Sequence, residues 1–501
     1  MLLLERDPLV ITEWPRDVAS NEQSSGSLRH APRRFTLLLW MVIVALMHFD
    51  RGVATVAALD ITAWDGGSVH ASFGYAVALL AWHSLGLAIG SVLAGAAFQQ
   101  VHAKIVLVLA LLANSGTLLI LGFQAHVHLA AVSLLRIVSG FCASLPLVFL
   151  PLWVDEFSPS EAQAQWMALV QLGAPIGQFI GAVVGGVCTV IASNGDGLNW
   201  RFALMIQAAA LAPVTLRVLF IPSLQVEVAN VSSLRARLDS LTLYPADGSQ
   251  VGHVHGLIRE LREMVQGLSR NPLNVALTVS LFFLHATVAG LALWATPYLA
   301  LSPGAPPPFP TLIVMVIVLG LAPVVGTYVG ALLCDRFAGF KAGHHTVALR
   351  VACGFLALCC VSVLISCVGT FGPRFMFIFV WLFGAGAFLP ISAGILMTSM
   401  PSYLRSFSTA SSTLVIHVIS FAVVPMLTAG MMSCFSTPEK GLSFGVGSAL
   451  WLTVPAALLV VVATLREPKQ VMPTGLSGVD DLTFSEISYE LSRRRMTTAP
   501  L

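Results

Sequence analysis

The sequence predicts an all-α membrane protein with twelve spans in two sets of six. Three observations carry that prediction. Over 501 residues, 56% are hydrophobic and only 10% are charged, too few ionic groups to clothe a water-soluble globule of this size. Mean hydropathy is +0.85. Apolar runs of about 20 residues, each able to cross roughly 30 Å of hydrocarbon as a helix, recur along nearly the whole chain. One long polar interruption, residues 222–273, divides them.

The first six runs cover 35–59, 72–98, 104–124, 128–153, 165–191 and 201–221. The second six cover 274–299, 308–334, 345–369, 373–398, 407–433 and 443–465, the third of these being cut short by Gly369. Domain bounds follow: a tail over 1–34, a bundle over 35–221, a linker over 222–273, a second bundle over 274–465 and a tail over 466–501. The linker carries an amphipathic segment near Leu257 to Leu268 and reads as a tether on the membrane surface. Both tails are polar and without periodicity, which predicts disorder.

Basic residues set the expected orientation. Arg6, Arg16, Arg29, Arg33 and Arg34 precede the first run; Arg235, Arg237, Arg259, Arg262 and Arg270 lie in the linker; Arg466, Lys469 and Arg493 to Arg495 lie in the tail. The opposite loops offer Arg201, Arg374 and Lys440. Both termini and the linker are therefore expected in the cytosol. Met1 to Trp14 lack a signal-peptide core, so the first helix is expected to direct insertion. Glu5 to Val10 loosely resembles an acidic dileucine sorting signal, which fits an endolysosomal or plasma membrane.

Composition also excludes functions. A net charge of +2 offers nothing to nucleic acid. No Gly-Lys-Ser/Thr phosphate loop occurs, so any transport is secondary rather than ATP-driven. Seven of eight cysteines sit in or at the edge of spans as small apolar packing residues, and Cys434 alone falls in a non-cytosolic loop. Neither their spacing nor that of His344 and His345 beside Asp335 makes a metal site. No cofactor is expected, and the protein is read as a monomer and not an enzyme.

Charge inside the spans points to function. Asp50 and Arg51 lie together in the first run, where an isolated ionised side chain costs about 2.5–3.5 kcal/mol to insert. Ionised Asp50 can pair with Arg51 or with Arg136 of the fourth span; protonation would free the arginine for an anionic headgroup. The plainer reading is a static ion pair. Arg136 can hold phosphate or carboxylate bidentately, or bond helix-terminal carbonyls. His48, His83, His285 and His417 also fall in spans, either as packing residues or as titrating groups. Phe282, Phe283, Trp294 and Tyr298 could face an acyl chain or pack in the core; Trp153 and Tyr298 sit near run ends, as interfacial anchors do. Gly173, Gly177, Gly181 and Gly185 recur every fourth residue and predict one helix face open to a neighbouring backbone, with a bend at Pro175.

Two sets of six spans around a cytosolic linker resemble the major facilitator superfamily, whose fold of two pseudo-symmetric bundles exposes a central site alternately to each side. Arg136 to Gly140 is similar to its Arg-x-x-x-Gly element, and the glycine-rich fifth span to its Gly-Pro element. Cys334-Asp335-Arg336-Phe337 resembles its cytosolic latch loop, which implies a latch at Asp335 and Arg336. The equivalent first-half loop carries Gln99 and Gln100 where that family has Asp and Arg.

Within the superfamily the chain resembles the Spinster lipid transporters. The likeness lies in His48-Phe49-Asp50-Arg51, in Arg136 to Gly140, in Arg270-Asn271-Pro272 with Gly290 to Leu299, and in Arg405-Ser406 with His417. Two family acids are missing, one near Ala143 and one near Gly384 to Gly386. The resemblance implies proton coupling at Asp50 and Arg51, headgroup binding or coupling at Arg136 and His285, and a cavity lined by His48, Phe282 and Trp294. Its cargo would be an amphiphilic lipid, such as a lysophospholipid or sphingoid phosphate. A carrier of a small organic solute, or a transport-dead receptor or scaffold, is the alternative.

Overall fold

The computed structural model describes residues 30–64, 69–123, 129–159, 162–192, 200–228, 265–300, 302–306, 308–337, 345–365, 370–400, 402–435 and 438–466. The sorting-like motif, residues 1–29 and 467–501 of the tails, most of the linker, Phe340, Lys341 and His344 lie outside these residues. All regular structure among the described residues is helical.

The first half consists of α1 (His30–Trp64), α2 (Val69–Gln100), α3 (Ala103–Phe123), α4 (Leu129–Phe157), α5 (Gln163–Ala192) and α6 (Trp200–Phe220). The second consists of α7 (Pro272–Ala300), α8 (Pro308–Arg336), α9 (His345–Ile365), α10 (Phe371–Thr398), α11 and α12. Helix α11 runs in three pieces, Ser402–Val415, a π-helical stretch Ile416–Val423, and Val424–Ser433. Helix α12 is interrupted once, between Pro438–Trp451 and Thr453–Arg466. Eleven of these helices meet the length and hydropathy of a membrane span, and the described apolar part of α2 is the shorter Leu80–Ala94.

Glycine decides which helices touch. In lipid the drive for helix association comes from close packing rather than from water exclusion, so small residues mark the seams. The glycine face of α5 meets α1 as its spacing predicts. A Cβ on Gly177 would fall 1.9 Å from the carbonyl oxygen of Ala45, and one on Gly181 2.0 Å from that of Phe49. Gly52 returns the contact from α1 against Gln178. Helix α5 is continuous through Pro175. Gly86 and Gly140 bring α2 onto α4, and Gly326 and Gly330 bring α8 onto α10 in the same manner. This correspondence is the pseudo-symmetry of the two halves.

Each half has its own apolar core. The first is built around Trp40, Phe149, Trp153 and Leu211, the second around Trp381, Phe377, Phe388 and Leu277. Trp153 corrects an expectation: it is fully buried, packs with Trp40 and Trp166, and donates from Nε1 to the carbonyl of Gln225 at 2.7 Å. The run-end position is real, but the end is roofed by the segment after α6. Tyr298 is likewise buried, with the Arg374 guanidinium 4.6 Å above its ring.

Polar side chains fix the helix ends. Asn271 accepts from the amides of Leu273 and Asn274 through Oδ1 at 3.1 and 3.2 Å, which makes it the N-cap of α7, with Pro272 as the first helical residue. Its amide nitrogen donates to Ser399 at 3.0 Å. The Asn-Pro pair thus starts α7 and ties it to the end of α10.

Candidate functional site

The site starts from three close helix contacts in the first half. The α1–α5 seam holds residues 45–53 of α1 against α5. The α2–α4 seam brings the backbone of His83 onto Gly140, where a Cβ would fall 2.0 Å from the His83 carbonyl oxygen. Arg136 lies one turn before Gly140 on α4, so one short motif supplies both the charge and the gap that admits its neighbour. Asp50 of α1 meets both helices here.

Arg136 donates from Nη1 to Oδ2 of Asp50 at 2.6 Å, and both side chains are buried, 5% and 2% exposed. Of the two arginines within reach in the sequence, Asp50 is bonded to Arg136 rather than to adjacent Arg51. Helical geometry explains this: neighbours in sequence point about 100° apart around the axis and do not face each other. His83 approaches the same carboxylate oxygen, with Nδ1 3.6 Å away. The shell behind the pair is polar: Ser139 donates to Oδ1 of Asn114 at 2.8 Å, and the Asn114 amide lies 3.5 Å from the Met47 sulfur.

Arg51 projects toward the second half instead. Its Cζ stands 4.9 Å from the ring centroid of Phe421, in the π-helical stretch of α11. Its Nη2 is buried without a hydrogen-bond partner among the described residues. Phe421 is also packed by His417 and His285, at 5.6 and 5.9 Å between ring centroids. Ser420 beside it donates to the Phe282 carbonyl at 2.8 Å, joining α11 to α7. One cluster, with Arg51 and His417 buried and Phe421 and His285 half-buried, therefore spans both halves.

The cluster contains one carboxylate against two guanidiniums, with the histidines around them. Asp50 Oδ1, Arg136 Nη2 and Arg51 Nη2 have no hydrogen-bond partner among the described residues. A buried group left unpaired costs far more than one left unpaired in water, so such a cluster suits an anion that visits. His48, His285 and His417 each bond through Nδ1 to the carbonyl four residues back, at 3.0, 2.8 and 2.8 Å. With Nδ1 as donor, Nε2 of each is left as the basic nitrogen.

The remaining predicted residues fall elsewhere or only near. The Phe282 ring lies tilted against that of Phe283, 4.6 Å between centroids, and Phe282 is half-buried one turn from His285. Trp294 is 3% exposed and belongs to the core of the second half, three turns along α7 from Phe282. Asp335 ends α8 and accepts from the amides of Ala164 and Gln165 at 3.1 and 2.9 Å, the free donors of the first turn of α5. Arg336 is exposed. A second link between the halves was not read from sequence: Arg405 of α11 is ion-paired and hydrogen-bonded to Asp155 of α4. Gln163 donates to the other oxygen of Asp155 at 2.9 Å, so both links meet at the start of α5. Phe421 was also missed, although the i, i+4 spacing of His417 and Phe421 is a signal for two rings on one helix face.

The chain matches the family model described as Major Facilitator Superfamily over residues 40–425. It belongs to that superfamily. Among solved structures, it is similar to the proton:xylose symporter XylE bound to 6-bromo-6-deoxy-D-glucose, with a TM-score of 0.59 and 17% identity over 86% of this chain and 94% of that one. A bacterial homologue of the human lysosomal transporter Spinster, inward-facing and unoccupied, gives 0.53 at 17% identity, covering 86% and 97%. The same homologue, inward-facing and occupied, gives 0.52 at 16% identity over the same shares. Comparison with curated protein sequences gives no match. At these identities the likeness is one of fold. The protein is thus a multi-pass membrane protein of a superfamily of transporters.

Proposed function

We propose that this chain is a Spinster-like secondary transporter that moves an amphiphilic lipid, a lysophospholipid or sphingoid phosphate, by alternating access coupled to protons. One observation carries the reading: Asp50 and Arg136 are locked together in the buried centre while Arg51, also buried, points to Phe421 of the second half and has one nitrogen without a hydrogen-bond partner among the described residues. The locked pair is suited to sense a proton, and the uncommitted guanidinium is suited to hold a phosphate or carboxylate. A proton taken up at this carboxylate, or on a group that can bond it in place of Arg136, weakens the hold on Arg136, and Arg136 then adds its guanidinium to the headgroup. Proton and cargo are linked through one carboxylate.

His285 and His48 flank Arg51 and offer Nε2 to the same headgroup, and half-buried Phe282 is positioned for the start of an acyl chain. The test is uptake into proteoliposomes. Labelled lysophospholipids, a sphingoid phosphate and small solutes including xylose are offered with and without an inside-alkaline pH gradient. Accumulation of a lysolipid that follows the gradient is expected. Accumulation of a small solute instead would make this a solute carrier, and uptake of none would favour a receptor or scaffold.

A further inference from the structure

His83 differs from the other three histidines at the centre. Those three turn Nδ1 back to their own helix and satisfy it there. His83 makes no such bond: both ring nitrogens are buried without a hydrogen bond among the described residues, and Nδ1 is turned to Asp50 Oδ2 at 3.6 Å. Its backbone is pinned on Gly140, one turn from Arg136, which keeps the ring within reach of the carboxylate. Leaving two polar nitrogens dry in a side chain 1% exposed is costly unless one of them acquires a proton and a partner during function.

We infer that His83 is the second proton site of the Asp50 pair, taking on Nδ1 the proton that enters the cluster and donating it in a hydrogen bond to Oδ2 of Asp50. The inference rests on the proton-coupled reading above. The step is a proton transfer alone: an incoming proton adds to the Nδ1 lone pair of neutral His83, whose hydrogen then sits on Nε2, and gives an imidazolium. Asp50 stays ionised and exchanges its Arg136 partner for the imidazolium, and Arg136 is freed toward cargo. On release the proton leaves Nδ1 and Arg136 returns. The charged and titratable groups around His83 are Asp50, Arg51 and His48 from α1, Arg136 from α4 and His417 from the stretch of α11 that packs on α2. Asp50 is the one anion among them, so it alone can favour a charged His83.

Nitrogen-15 NMR of histidine-labelled full chain in lipid nanodiscs reads this without cargo. The His83 signals are those that vanish in His83→Gln, with His83→Asn as a second subtraction should the first variant fold poorly. As the sample is acidified, wild-type His83 is expected to pass from neutral imidazole to imidazolium, and in Asp50→Asn to stay neutral. A His83 that stays neutral in the wild type, or titrates alike with and without the Asp50 carboxylate, overturns the inference. In proteoliposomes with a fluorescent lysophosphatidylcholine, His83→Gln should lose about a hundredfold of gradient-driven accumulation, the lower end of what a positioned proton-transfer group contributes. Unchanged accumulation overturns it too. If the wild type carries no lysolipid, the lipid reading falls and the NMR result still decides His83.

Discussion

At the scale of single residues, the proposed mechanism turns on the Asp50–Arg136 ion pair. Removing one member of a buried ion pair strands the other, at a cost of about 3–5 kcal/mol where the survivor keeps its charge. Asp50→Asn keeps the shape and leaves Arg136 charged, so the variant is expected to fold, with a lowered thermal midpoint, and to lose pH-driven uptake entirely. Proton-driven rates equal to wild type would remove Asp50 from the mechanism. Arg51→Lys makes a different prediction. A lysine keeps the charge but not the planar fork or the stacking on Phe421. Lysolipid affinity should fall about tenfold, or ~1.4 kcal/mol, while the pH dependence is unmoved. A change in pH dependence with unchanged affinity would exchange the roles of the two arginines.

At the scale of the helix, the seams separate glycines that matter from those that do not. Gly177 has the Ala45 backbone where its Cβ would be, and Gly354 on α9 has nothing within 4 Å. Gly177→Val should therefore push α1 off α5 and lower the thermal midpoint and the yield of folded protein, at a cost of about 1–3 kcal/mol or more. Gly354→Ala should be neutral or gain about 0.5–1 kcal/mol from the stiffer helix. Equal midpoints for the two variants would refute the seam. The Gly173 to Gly185 ladder was legible because a four-residue repeat is local. Asp50 and Arg51 were legible because charge is conspicuous in an apolar run. The π-helical stretch of α11, Phe421 as the platform for Arg51, and the choice of Arg136 over Arg51 were not. Each depends on how helices far apart in sequence turn toward one another.

At the scale of the whole molecule, the halves are joined at the end where α4, α8 and α10 finish and α5 and α11 begin. Asp335 caps α5 across the interface, and Asp155, which pairs directly with Arg405, also accepts from Gln163 in the same first turn of α5. The sequence offered Asp335 through its resemblance to a latch, but not Asp155, which reads as an ordinary charge at a helix end. The first half has no matching carboxylate at Gln99 or Gln100. Its turn is bound within its own half, where Glu227 accepts from the Ala103 amide at 3.3 Å and Lys104 donates to the Ile221 carbonyl at 2.7 Å. The polar links between the halves at this end are therefore one cap and one ion pair rather than two symmetric latches. A carboxylate on a helix N-terminus contributes about 0.3–2 kcal/mol, so losing the cap and the ion pair together should shift the balance between closed and open forms by about tenfold or more. Asp335→Ala with Arg405→Ala is expected to raise hydrogen exchange in the first turns of α5 and α11 and leave the α1–α5 seam protected. Unchanged exchange at those turns would mean that the apolar contacts alone, such as Ala164 and Ala168 against the core of the second half, hold this end shut.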